Sequence, residues 1–332
     1  MHRNLISAGL VGCIAALSAC GGGGGAPAPA VPTSPATVNA ANAASVSSEA
    51  YKGGDTLASG GDLSGSAVGA VVAPSGASFS LVRFTSDKLR WLASLEAAPL
   101  QVVTGAVTTI TRQCPGGGTS ARTFDDKDNN NRLSTGDTVS VIFTNCVEGT
   151  DRVNGSFSLD NVTVTGRPGI DTAWNAGVTA TFGNLAVTSG GTLLGSVNGG
   201  FNLALTTTDG NNITHTINGT SLTATEGSNT RTLTGFTATL ELRRSPPAYS
   251  YTSSGTLASS RLGGTLTYQT PTPFAGVGTD FPSSGRLLVT GANNAGVRFT
   301  AVGSTVTLEV DANGDGAYET SFNRTWAELI AS

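Results

Sequence analysis

Two stretches of this chain alternate apolar and polar residues and then change phase halfway, at an asparagine in each case. Phe157-Ser158-Leu159-Asp160-Asn161-Val162-Thr163-Val164-Thr165 has its counterpart in Ala180-Thr181-Phe182-Gly183-Asn184-Leu185-Ala186-Val187-Thr188. A period of two belongs to a strand with one covered face. A mid-strand change of phase requires one extra residue, so the spacing predicts β-bulges that bend long strands at Asn161 and Asn184. A second phrase recurs as well: Val153-Asn154-Gly155-Ser156-Phe157-Ser158-Leu159 returns as Val197-Asn198-Gly199-Gly200-Phe201-Asn202-Leu203, and loosely as Ile217-Asn218-Gly219. Asn-Gly, Asp-Gly and Gly-Gly pairs are read as hairpin turns between long strands. The expected fold is all-β: a large antiparallel, curved sheet of consecutive hairpins, shaped as a half-open barrel or a two-layer roll.

Composition agrees, with 45 glycines and only 12% charged residues, threonine, serine and asparagine filling the polar positions. A solenoid would need a tighter repeat. An outer-membrane barrel would need aromatic girdles, and aromatics total 6%. The formal charge of −4 offers no basic footprint for nucleic acid.

The N-terminus says where such a sheet resides. Met1–Asn4 carries one cation, Arg3, and Leu5–Ala19 is an apolar run too short to span a bilayer. Leu17-Ser18-Ala19-Cys20 resembles the lipobox of bacterial lipoproteins. The resemblance implies cleavage after residue 19, acylation of Cys20 and attachment to the cell envelope. Gly21 in place of an inner-membrane retention aspartate points to the outer membrane. An ordinary secretory signal cut nearby is the alternative. Cleavage leaves 313 of the 332 residues and moves the formal charge to −5, since only Arg3 is lost. Residues 20–50, poor in large apolar side chains and bearing one charge, Glu49, are expected to form a disordered tether. Residues 51–77 remain rich in glycine and serine and are expected to be a poorly ordered lead-in.

Residues 78–332 are expected to form a single antiparallel β domain with one short N-terminal helix. The helix is placed at 86–96, capped by Ser86 and stopped before Pro99. It would pack against the sheet or, alternatively, lie on the membrane or plug a cavity. With Cys20 acylated, Cys114 and Cys146 are the remaining thiols, and an oxidising compartment favours their pairing as a disulfide. A metal or catalytic cysteine pair would lack a nearby histidine.

Between these cysteines lies Asp126-Lys127-Asp128-Asn129-Asn130-Asn131-Arg132-Leu133-Ser134-Thr135-Gly136-Asp137, which resembles the twelve-residue calcium loop of EF-hands and dockerins. Calcium takes six to eight hard oxygens, and alternate short acids around one turn supply them. The resemblance offers Asp126, Asp128, Asn130, Ser134 and Asp137 as ligands with the carbonyl of Arg132. Asn131 stands where the turn glycine is usual, and Asp137 where a glutamate is usual. A second stretch, Asp311-Ala312-Asn313-Gly314-Asp315-Gly316-Ala317-Tyr318-Glu319, resembles the start of such a loop. It offers Asp311, Asn313, Asp315, Ala317 through its carbonyl, and Glu319. The first stretch also reads as a solvated Asp/Asn turn with Asx hydrogen bonds, and the second as a hairpin turn on Asn-Gly-Asp-Gly. Calcium is the expected cofactor, at one or two sites.

No nucleophile elbow, zinc-binding histidine pair or P-loop occurs, and the mature chain has one histidine, His215, expected to be structural. The lipobox, the cysteine-bracketed acidic loop and the C-terminal acidic hairpin together resemble proteobacterial envelope lipoproteins, which implies an anchor and a location but no particular activity. The expectation is a non-catalytic, calcium-stabilised envelope protein that meets the membrane through its acylated N-terminus and binds a ligand or partner. The alternative is an exported, glycosidase-like hydrolase with a carboxylate pair in a cleft.

Overall fold

A computed structural model describes residues 32–54, 107–129, 134–166, 171–278 and 280–332. Fourteen antiparallel strands follow one another in a single open sheet, each paired only with its neighbours in the chain. They are β1 (Thr108–Gln113), β2 (Thr119–Asp125), β3 (Thr138–Glu148), β4 (Asp151–Thr165), β5 (Trp174–Ser189), β6 (Thr192–Thr207) and β7 (Asn212–Glu226), then β8 (Asn229–Arg243), β9 (Ala248–Ser259), β10 (Gly264–Gly276), β11 (Ser284–Thr290), β12 (Gly296–Val302), β13 (Thr305–Asp311) and β14 (Thr320–Thr325). Two helices accompany them: α1 over residues 43–54, and α2 at Trp326–Ala331. One face of the sheet is apolar and buried in one continuous cluster, including Phe157, Phe201, Ile217, Leu257 and Phe299. The other face is polar, with a cross-strand row Thr179, Asn202, Asn218, Thr237 and Ser254.

Both phase changes are bulges. Asn161 and Asn184 have φ of 52° and 46° and sit at register shifts. The recurring Asn-Gly phrase does not, as expected, make the turns: Asn154-Gly155, Asn198-Gly199 and Asn218-Gly219 all lie inside strands. Asn154 Oδ1 accepts from the backbone N–H of the bulged Asn145 at 2.7 Å, and Asn198 Oδ1 from that of Asn184 at 3.1 Å. A Cβ on Gly155, at φ 104°, would stand 2.3 Å from the Asn184 carbonyl oxygen, so only glycine fits beside the kink. Two of the three repeats thus clamp a bulge, at Asn145 and Asn184, whereas Asn218 Oδ1 accepts from the Asn202 side-chain amide at 3.1 Å.

Two expectations are corrected. The tether assigned to residues 20–50 is structured from residue 32 onward, and the lead-in of 51–77 begins inside α1. Ala36 N–H donates to Thr265 O at 2.9 Å, and Ala36 O accepts from Ala292 N–H at 2.8 Å. Asn42 caps α1 through Val46 N–H to Asn42 O at 2.9 Å, braced by Asn39. Small residues are what let α1 fit: Ala43, Val46 and Ala50 are buried, and a Cβ on Gly53 would already lie 3.3 Å from Leu233. A short N-terminal helix is present at 43–54; the stretch 86–96, where one is expected, lies outside the described residues. Residues 270–276 lie within β10, and Ser284 opens β11. Pro271 and Pro273 belong to β10, tolerated because its register with β11 shifts there and ladder bonds are missing.

Tyr51 of α1 packs among Tyr251, Phe274, Phe299 and Trp326, with ring centroids 5.0–6.3 Å away. Glu49, wholly buried, receives both Nε and Nη2 of Arg231 at 2.8 and 2.9 Å and Ser259 Oγ at 2.9 Å. Burial alone would raise its pKa, but the Arg231 guanidinium and these hydrogen bonds hold it below the usual carboxylate range.

Candidate metal loops

The hairpin turns alternate between the two ends of a meander, so the β2–β3 loop and the β13–β14 loop emerge at opposite ends of the sheet. They are two separate sites, never one.

In the β2–β3 loop, Asp126, Asp128 and Asp137 bring carboxylate oxygens within 4.8 Å of one another. Asp137 is the anchor. It has no exposure, and its Oδ1 accepts from Lys127 N–H at 2.8 Å while Oδ2 accepts from Ser134 N–H at 2.6 Å. Ser134 Oγ lies 2.9 Å from both Asp128 Oδ2 and Asp137 Oδ2. Asn130 and Arg132, also expected as ligands, lie outside the described residues, as does Cys20. Cys114 and Cys146 form the expected disulfide, with Cα atoms 5.3 Å apart. It joins the β1–β2 turn to the far part of β3, and so lies at the end of the sheet opposite this loop.

The β13–β14 loop is organised from its first residue instead. Asp311 is buried, with Oδ1 accepting from Gly314 N–H at 2.7 Å and Oδ2 from Gly316 N–H at 2.8 Å. Asn313 Oδ1 accepts from Asp315 N–H and Asp315 Oδ1 from Ala317 N–H, both at 2.8 Å. Asp311, Asp315 and Glu319 place oxygens within 4.8 Å of one another. Gly314 and Gly316 take φ of 77° and 90°, and a Cβ on Gly314 would stand 2.1 Å from Asn293 O. Tyr318 lies over the Arg298 guanidinium at 4.1 Å, and Arg298 is itself held by Glu309. The loop is pinned to the polar face of the sheet by that contact.

No lysine, arginine or histidine among the described residues pairs with Asp137, Asp311, Asp315 or Glu319. Every hydrogen bond given above for their oxygens comes from a backbone N–H, a hydroxyl or an amide. Clusters of three carboxylates with such oxygens around them are groups that could hold a metal ion.

The chain matches no family model, no curated protein and no solved structure.

Two features escaped sequence reasoning. The Glu49–Arg231 pair is one; its signal was a lone charge in an otherwise uncharged stretch. The other is the environment of His215. The ring is buried on β7, opposite Leu205 and Leu240 on the neighbouring strands, with no hydrogen-bond partner for either nitrogen. Burial pushes its pKa down to about 4.

Proposed function

We propose that this chain is a lipid-anchored envelope protein whose two hairpin loops each take up a calcium ion, and that it acts by binding rather than by catalysis. The observation that carries the reading is the pair of carboxylate clusters, each built on one buried aspartate whose oxygens meet hydrogen-bond donors but no cation. Calcium accepts such sets of carboxylate, carbonyl and amide oxygens. Asp126, Asp128, Ser134 and Asp137 would hold one ion, with Asn130 and the Arg132 carbonyl. Asp311, Asn313, Asp315, the Ala317 carbonyl and Glu319 would hold the other. The resemblance of residues 17–20 to a lipobox supports the anchor, and the disulfide suits an exported chain. Glu49, buried beneath α1 against the sheet, is neutralised by Arg231, which leaves it a poor acid or base.

Elemental analysis and calcium titration of the purified domain, with thermal melts in calcium and in chelator, test the reading. Bound calcium near two equivalents and a melting point lowered by chelator are expected. No bound metal together with an unchanged melting point would remove both sites.

A further inference from the structure

We infer that the sheet is held with one particular end toward the bilayer: the end that carries the β13–β14 loop. This rests on the reading of Cys20 as the lipid-bearing residue. Residues 34–36 are fixed to the fold, Thr265 N–H donating to Ser34 O at 2.8 Å, Ala36 N–H to Thr265 O, and Ala292 N–H to Ala36 O. Thr265 opens β10, Ala292 lies in the β11–β12 turn, and the Asn293 carbonyl touches the β13–β14 loop at Gly314. All three belong to the same end of the meander, as do the β7–β8 and β9–β10 turns.

Covalent length does the rest. From Cys20 to Ser34 there are fourteen residues, which in any conformation reach no further than about 48 Å. The strands that separate the two ends run to thirteen residues in β10 and sixteen in β6, or about 40 to 50 Å. Turning the opposite end to the bilayer would therefore consume the whole reach of the segment. The end where the chain joins the sheet needs none of it.

The orientation settles the placing of an apolar group. Val277, Phe281 and Val302 are exposed at the opposite end, around the β10–β11 loop and the β12–β13 turn. Taken alone they invite insertion into lipid; the length of the segment instead turns them away from the bilayer.

The test uses the full-length, processed protein in vesicles of phosphatidylethanolamine and phosphatidylglycerol. With Cys20 acylated and Cys114 bonded to Cys146, a thiol introduced by Ser228→Cys (β7–β8 turn) or Thr208→Cys (β6–β7 turn) is the sole reactive one. Energy transfer from a dye at each position to acceptors on the lipid headgroups is compared. Transfer from position 228 is expected to exceed that from 208 about twofold or more, given strands of this length. Equal transfer, or more from 208, as apolar insertion would produce, overturns the inference. A variant with about thirty Gly/Ser residues added after Gly25 should lose most of the difference; a difference that persists unchanged also overturns it. Failure of the chain to float with vesicles sinks the lipid-anchor reading itself, and is distinguishable because it precedes either comparison.

Discussion

The chain buries carboxylates in two ways, and the contrast between α1 and the hairpin loops shows what each is for. Glu49 enters the interior with its countercharge, both oxygens met by the Arg231 guanidinium. Asp137 and Asp311 are buried on backbone N–H groups, joined at Asp137 by the Ser134 hydroxyl, beside two further acids each. Backbone dipoles orient a carboxylate; they do not cancel its charge. The first arrangement is complete within the polypeptide, and the second is a group of carboxylates that could hold a metal ion. His215 is a third case, an interior polar group given no partner, which stays inside by staying neutral.

The largest effect should come from breaking the complete arrangement. Arg231→Met leaves the buried Glu49 with only the longer, 3.8 Å contact to the half-exposed Arg261 and the Ser259 hydroxyl, at a cost of about 3 kcal/mol, or a melting point lower by about 10 °C for a domain of this size. That drop should be the same in calcium and in chelator. Glu49→Met added to Arg231→Met should recover most of it, because removing both partners leaves no orphaned charge. A melting point for Arg231→Met equal to wild type would erase the contrast drawn above.

His215 gives the next effect, and its sign follows from linkage. Unfolded, the imidazole binds a proton as pH falls below about 6.5; folded, it does so only near pH 4. Between those values the unfolded state holds more protons, so stability should fall as pH drops from about 6.5 to about 4, by about 3 kcal/mol in all. Above that window this group contributes no pH dependence. In urea titrations across pH, His215→Leu should flatten that limb of the stability curve. A limb that survives the substitution intact would assign it to other groups.

The sheet was legible because its signal is repeated and local: alternation, a phase change at Asn161 and Asn184, and glycine where a neighbouring backbone comes close. What Asn-Gly did was not legible. The same dipeptide makes a hairpin turn or clamps a bulge, and only the partner strand, through Asn145 or Asn184, decides between them. The N-terminal segment was hidden for a different reason. Residues 32–54 hold few large apolar groups, and sequence reasoning equates such a composition with disorder. Here Ala43, Val46, Ala50 and Gly53 are small because a helix must lie close against Leu233 and Leu257. A sparse i, i+3, i+7 pattern of small residues, with Asn39 and Asn42 ahead of it, was the available trace. The acidic loops were legible as ligand lists. That they stand at opposite ends of the sheet follows only from counting strands.

Calcium should act on the loops and leave the helix contact untouched. At a calcium concentration about a hundred times Kd, each site would add about 2.7 kcal/mol. Asp311→Asn keeps acceptors for part of the Gly314 and Gly316 bonding but removes the charge. It should therefore cost little in chelator and lose about half of the calcium-induced rise in melting point. Asp137→Asn should do the same for the other loop. An unaltered calcium response in both variants would mean that these carboxylates are not the ligands.

The smallest expected effect is the coupling between the two loops. Eleven strand steps and opposite ends separate them, and no side chain described above touches both. Effects of distant sites add to within about 0.5 kcal/mol, so the double variant Asp137→Asn/Asp311→Asn should lose the sum of the two single losses. The melting points of the four proteins, in calcium and in chelator, close that cycle. A coupling above about 1 kcal/mol would require the sheet to transmit the state of one loop to the other, most directly through the line of bulges that crosses it. The loops would then be two ends of one device, and the comparison with the self-contained Glu49–Arg231 pair would have to be redrawn around the whole sheet.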